Sequence, residues 1–169
     1  MSTTLYGAAL AEAYDALNDG IDYEKICDFL LECVKKHSDI EVKDICEAAC
    51  GTGSMACALA RRGYHVVASD ISEDMLSAAD RKANAQDLPI RFVLQDMRRS
   101  VMYAQKDLYL CLLDSMNYLL TKDDVLSALS SAKSCLKPGG LFIFDMNSKK
   151  KFETVYAQND YVLETDDVY

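Results

Sequence analysis

The 169-residue chain has no tryptophan, two prolines, seven glycines and two histidines. So little proline and glycine excludes a collagen-like or long linker-like stretch. Long apolar runs are missing as well. The longest, Leu108 to Leu113, falls far short of the ~20 residues that span a bilayer. The start, MSTTLYGAAL, lacks a basic leader region and an extended apolar segment, which predicts a cytoplasmic protein with no membrane partner. No Cys-x-x-Cys pair occurs, and an odd count of seven cysteines argues against a disulfide framework. His37 and His65 stand alone, so no zinc site is indicated. Basic stripes are also lacking. The net charge of -9 divides into -7 over residues 1–48, +2 over 49–150 and -4 over 151–169. Nothing here would neutralise a phosphate backbone, so nucleic acid is excluded as the default partner.

What is present is ordinary globular composition, half apolar, in a length that suits one domain. Thr4 to Leu17 reads as a helix, and Asp22 to His37 as a second. In the second, Ile26, Phe29, Leu30, Cys33 and Val34 make one apolar face. Short apolar runs then alternate with helical stretches. Strands are expected at Ile45–Ala49, His65–Ser69, Ile90–Leu94, Leu108–Leu113 and Leu141–Met146. The helices between them begin near Ser54, Ser72 and Thr121, with Asp124 a short substitute for the Glu of a capping box. Lys137-Pro-Gly-Gly is expected to stop the last of these helices. Strand alternating with helix predicts an α/β fold, an open, doubly wound, mainly parallel sheet. Three regions follow: a helical lead-in or lid over 1–38, a core over 39–150, and an acidic segment over 151–169. Tyr161 to Glu164 is a candidate sixth strand.

Open parallel sheets bind ligands beyond the carboxyl ends of their strands. The turn after the first strand, Glu47-Ala-Ala-Cys-Gly51-Thr-Gly53, has glycines where a backbone must bend sharply or a ligand must come close. Asp70 closes the second strand, where a carboxylate can accept from both hydroxyls of a ribose. Together these features point to an adenosine ligand. Gly51-x-Gly53-x-x-Ala56 also fits a dinucleotide fingerprint. Glu47 opposes that reading, because its carboxylate would face a pyrophosphate; it suits a positively charged ligand.

These stretches, with Val66-Val-Ala-Ser-Asp70-Ile-Ser-Glu-Asp-Met75-Leu, Phe92-Val-Leu-Gln-Asp96-Met97, Asp107 to Leu119 and Leu136-Lys-Pro-Gly-Gly-Leu141, resemble the class I S-adenosylmethionine-dependent methyltransferases, most closely their small-molecule branch. The resemblance spans roughly residues 40–147; Tyr14-Asp15 and Asp22-Tyr23 match more weakly. It implies a Rossmann-like methyltransferase fold that here stops after the fifth of seven strands. The implied cofactor is S-adenosyl-L-methionine. Gly51 and Gly53 would lie along its methionyl and ribose parts, and Glu47 would meet its amino-acid portion. Asp70 would hold the ribose, with Ile71 and Met75 near the adenine. Asp96 would accept from the adenine amino group and Met97 would pack on the ring. Leu113 would offer its carbonyl to the ammonium, and Tyr14 would close over the methionine end. Ala49 replaces a usual glycine, which is tolerable if its φ stays negative.

The function this implies is methyl transfer to a small-molecule acceptor by in-line displacement, a reaction that needs alignment and exclusion of water. Tyr6, Tyr14 and Tyr118 are candidate aromatic neighbours of a sulfonium. Asp114 is the candidate catalytic base. The alternatives are a nicotinamide-dependent oxidoreductase and a non-catalytic cofactor-binding or dimerisation module. Leu141–Met146 reads as an interior strand, so its outer edge is expected to be covered by Tyr161–Tyr169 or to pair in a weak homodimer.

Overall fold

The computed structural model describes residues 7–158. Two helices lead in, α1 (Ala8–Leu17) and α2 (Tyr23–His37). The core follows as β1 (Asp44–Ala48), α3 (Ser54–Arg61), β2 (His65–Asp70), α4 (Glu73–Asn84), β3 (Arg91–Leu94), β4 (Lys106–Cys111), α5 (Lys122–Cys135) and β5 (Leu136–Phe144). A short helix, α6 (Lys149–Thr154), comes after it. All strand pairs are parallel, in the order β3-β2-β1-β4-β5. This is the Rossmann-like sheet, with five strands among the described residues.

The caps explain the helix starts. Ser72 accepts from the Met75 N–H at 3.2 Å, and Asp22 from the Lys25 N–H at 3.0 Å. Thr121 caps α5 by accepting from the Asp124 N–H. The Asp124 carboxylate does not complete a capping box; it accepts the Thr121 hydroxyl and a guanidinium bond from Arg98 instead.

Strand residues alternate between two cores. Ile45, Val66, Ala68, Leu108 and Leu110 pack with Cys27, Leu30, Leu59 and Leu76 under α2, α3 and α4. Cys46, Ala48 and Tyr109 pack with Ala132 and Cys135 under α5. Burial on both faces is why β4 reads as an unbroken apolar run. Six of the seven cysteines are buried; Cys33, on α2, is partly exposed.

One expectation about β5 is corrected. Lys137-Pro-Gly-Gly does not simply stop a helix: α5 ends at Cys135 and β5 begins at once. The pairing with β4 jumps from Lys106↔Leu136 to Leu108↔Leu141, so the Pro-Gly-Gly segment bulges. A Cβ on Gly140 would lie 2.9 Å from the Asp107 carbonyl, so the bulge requires glycine there. Among the described residues β5 pairs with β4 alone and stands last in the sheet. Tyr161–Tyr169, the expected cover, lie outside the described residues, as does Tyr6.

Among those residues, no helix is long and apolar enough to cross a membrane and no cluster of potential metal ligands occurs.

Candidate functional site

The chain runs from β1 outward to β3 and then returns to place β4 on β1's other side. Strand order therefore reverses between β1 and β4, where ligands lodge in open α/β sheets. A cavity of about 260 Å³ opens there. It is lined by Tyr14, Ala49, Gly51, Asp70, Ile71, Met75, Asp96, Met97 and Leu113, all anticipated from sequence. Glu47 lines a smaller recess of about 40 Å³, which shares Tyr14, Ala49, Gly51 and Leu113 with the larger cavity. Gly53 and Asp114 line neither.

The turn after β1 is wound tightly. Ala49, Gly51 and Gly53 have φ of +54°, +53° and +74°. The positive φ of Ala49 does not meet the condition under which an alanine would sit here without strain, and a left-handed alanine is strained. Gly51 leaves open space: a Cβ there would meet nothing nearer than Tyr14 Cε1 at 3.9 Å, so the position opens toward the cavity. Gly53 does something else. A Cβ on it would lie 2.9 Å from Ala79 Cβ and 3.2 Å from the Phe92 ring, so this glycine lets α3 start close against α4 and β3.

Asp70 fixes the rim of the turn. Its Oδ2 accepts from the Gly51 N–H at 2.8 Å and its Oδ1 from the Ser72 N–H at 2.9 Å. Each oxygen keeps a lone pair for a further donor.

Glu47, at the end of β1, is 3% exposed, and its Oε2 has no hydrogen-bond partner. Burial and the nearby Asp70 charge push its carboxyl up to about 8, against the Ala56 N–H and Lys82, which lower it. A buried carboxylate with an unused oxygen beside a cavity fits a cationic group in that cavity.

At the other end Ile71 is 66% exposed, an open apolar platform, while Met75 is buried beside it. Met97 lies with its sulfur 3.9 Å from that of Cys111. Asp96 is gripped by Arg98, whose Nε and Nη2 donate to it at 2.6–3.0 Å. Those bonds hold the Asp96 carboxyl below its usual range despite partial burial.

Beyond β4, Leu113 and Asp114 are both left-handed, at φ +56° and +65°. The Asp114 N–H donates to Asp145 Oδ2 at 2.9 Å, which ties this turn to the end of β5. Asp114 is not itself among the lining residues, although its neighbours Leu113 and Ser115 are.

Several lining residues escaped the sequence reading. Gln95, Arg98, Ser115 and Leu119 line the cavity with Tyr118. They lie within or beside the quoted motifs but carried no separate signal. Tyr14 reaches the cavity because its neighbour Asp15 is tied down: Asp15 accepts from Thr52 Oγ1 at 2.6 Å and pairs with Lys82 Nζ at 2.7 Å. Burial opposes ionisation of Asp15, but the Lys82 and Thr52 hydrogen bonds outweigh it and lower its carboxyl. Lys82 had no sequence signal at all.

Residues 45–140 match the family model described as a methyltransferase domain, more than half of the chain. The chain belongs to the methyltransferase family. The chain is similar to YqeM of Bacillus subtilis (strain 168), which is itself named a methyltransferase only provisionally. It is 38% identical over 73% of this chain and 50% of its own length. A glycine/sarcosine N-methyltransferase of Aphanothece halophytica is 30% identical over 72% of this chain and 45% of its own. The crystal structure of an S-adenosylmethionine-dependent methyltransferase from Clostridium acetobutylicum ATCC 824 superposes with a TM-score of 0.81 at 34% identity. That match covers 94% of this chain and 64% of the other. The chain spans about half the length of these curated relatives.

Proposed function

We propose that this chain binds S-adenosyl-L-methionine and transfers its methyl group to a small-molecule acceptor. The observation that carries the reading is Glu47: a buried carboxyl, one oxygen unpartnered, in a recess continuous with a glycine-lined cavity. Relatives at 30–38% identity support it.

The bound cofactor would supply an electrophilic methyl carbon on a sulfonium. Glu47 would hold the amino end, ionised once a cation lies beside it, and the Leu113 carbonyl would take a further ammonium proton. Asp70 would accept from the ribose hydroxyls through its remaining lone pairs. Ile71, Met75 and Met97 would sandwich the adenine, and Asp96 would accept from its amino group. Tyr14 and Tyr118 would offer ring faces to positive charge. No step rests on Asp114, which stands outside the cavity lining. The protein's contribution is alignment of acceptor and methyl and exclusion of water.

Titration calorimetry with S-adenosylhomocysteine and, separately, NAD+ tests the reading. The expected result is a dissociation constant in the low micromolar range for the first and no heat for the second. At a hundredfold excess over that constant, unfolding should be harder by about 2.7 kcal/mol. No stabilisation by millimolar S-adenosylhomocysteine would overturn the reading. A nicotinamide ligand is disfavoured because its pyrophosphate would lie against the acidic recess.

A further inference from the structure

Helix α1 carries Tyr14 over the cavity, yet little apolar packing holds it there. Ala11, at 5% exposed, is its one buried residue, and Gly7 caps it without a side-chain bond. A polar network also ties it down. Asp15 Oδ1 accepts from Thr52 Oγ1 at 2.6 Å and from Lys82 Nζ at 2.8 Å, with a longer bond of 3.4 Å from Ser54 Oγ. Lys82 Nζ also donates to Thr52 Oγ1 at 3.0 Å and to Ser54 Oγ at 2.6 Å. The three ammonium protons thus have three acceptors, and Thr52 both donates to Asp15 and accepts from Lys82.

The three parts of this network come from separate places. Asp15 is on α1, Lys82 is in the last turn of α4, and Thr52 sits between the two glycines of the cofactor turn. Thr52 is 2% exposed, so the network is rooted in the core. Lys82 retains 21% side-chain exposure and Asp15 49%, so the outer part remains in contact with water.

We propose that Lys82 and Asp15 form a latch that holds α1, and with it Tyr14, closed over the cavity and so sets how long a bound cofactor is retained. The retention part rests on the proposed cofactor; the latch itself does not. Lys82 and Asp15 are positioning residues. Neither lines the large cavity, and each acts through Tyr14 and Thr52. Cofactor entry and exit require α1 to lift, and lifting requires the Asp15 carboxylate to exchange Lys82 and Thr52 for water.

Hydrogen–deuterium exchange on the chain without ligand tests the latch directly. In Lys82→Met the amides of 8–17 should exchange at least tenfold faster, while those of β1, β4 and α5 keep their native rates. Asp15→Asn should do the same, and Lys82→Arg should restore slow exchange. Unchanged exchange over 8–17 in both Lys82→Met and Asp15→Asn would overturn the latch. Stopped-flow release of S-adenosylhomocysteine tests retention. Release should be about tenfold faster in Lys82→Met, with association altered less than threefold. A loosened α1 with an unchanged release rate would overturn the retention role. If the native chain binds no S-adenosylhomocysteine, the proposed function fails on that measurement alone, and the exchange result still decides the latch.

Discussion

Two carboxylates of the site differ in what they are free to do. Asp70 has a lone pair on each oxygen beyond its two backbone bonds, whereas Asp96 is already occupied by a forked guanidinium. Asp70→Ala should therefore weaken S-adenosylhomocysteine binding more than Asp96→Ala. Losing hydrogen bonds to a charged group costs roughly 1.5–3 kcal/mol, a loss of about 10- to 150-fold in affinity, measurable by calorimetry. Glu47 sets a different expectation. Its carboxyl stands near 4.5 when unfolded and about 8 in the folded chain. Between those values the native protein keeps a proton that the unfolded chain releases. The stability Glu47 contributes is thus complete below about pH 4.5 and lost as pH rises through about 8. Thermal melts at pH 5 and pH 8 should show Glu47→Gln gaining on the native chain at the higher pH. Binding has the opposite sign. A cation selects the ionised carboxylate, so affinity should rise up to about tenfold per pH unit below pH 8, and Glu47→Gln should abolish that slope.

At the scale of the turn and its elements, backbone conformation decides. Ala49→Gly should stabilise the fold by about 1 kcal/mol, because it relieves a left-handed alanine. Gly53→Ala should cost at least ~2 kcal/mol, because it adds left-handed strain and a Cβ where Ala79 already sits. Chemical denaturation of the two variants checks both signs. The elements themselves were largely legible in the sequence, since apolar runs bounded by Gly, Asp and Ser set β1 through β4 and the capped starts of α4 and α5. Three features were not. Ala49, Leu113 and Asp114 take left-handed conformations that the surrounding structure imposes and no glycine announces. The Pro-Gly-Gly bulge in β5 looks locally like a helix stop, and only its pairing with β4 distinguishes the two. The Asp15–Lys82 contact joins residues 67 apart, a separation at which local pattern carries no information.

For the whole molecule, the two ends of the sheet do different work. The carboxyl ends of the strands carry the site. At their amino ends, Asp107 is buried, accepts from the Lys43 and Asp44 N–H groups at 2.9 and 2.8 Å, and pairs with Lys137 at 2.8 Å. Burial works against its charge, but Lys137 and the two N–H groups overcome that and hold the carboxyl below its usual value. Such a group contributes stability above its unfolded value near 3.8, and the contribution disappears as pH falls through the lower folded value. Asp107→Asn should destabilise the chain by about 2 kcal/mol at pH 7 and by much less at pH 2, as read from urea midpoints. The contributions of Glu47 and Asp107 thus have opposite slopes and are both nearly complete only around pH 4, between the unfolded values of 3.8 and 4.5.

The sulfur atoms of the chain make its folding state countable. Six thiols are buried, four of them within the two cores, and Cys33 alone is partly open. A brief pulse of alkylating reagent should therefore add a single mass increment to an intact molecule and seven to an unfolded one. Intermediate masses would identify which layer had parted: Cys27 and Cys57 report on the packing of α2 and α3, and Cys46 and Cys135 on the opposite layer under α5. The protein thus carries, without any added label, a mass-spectrometric record of where it opens first.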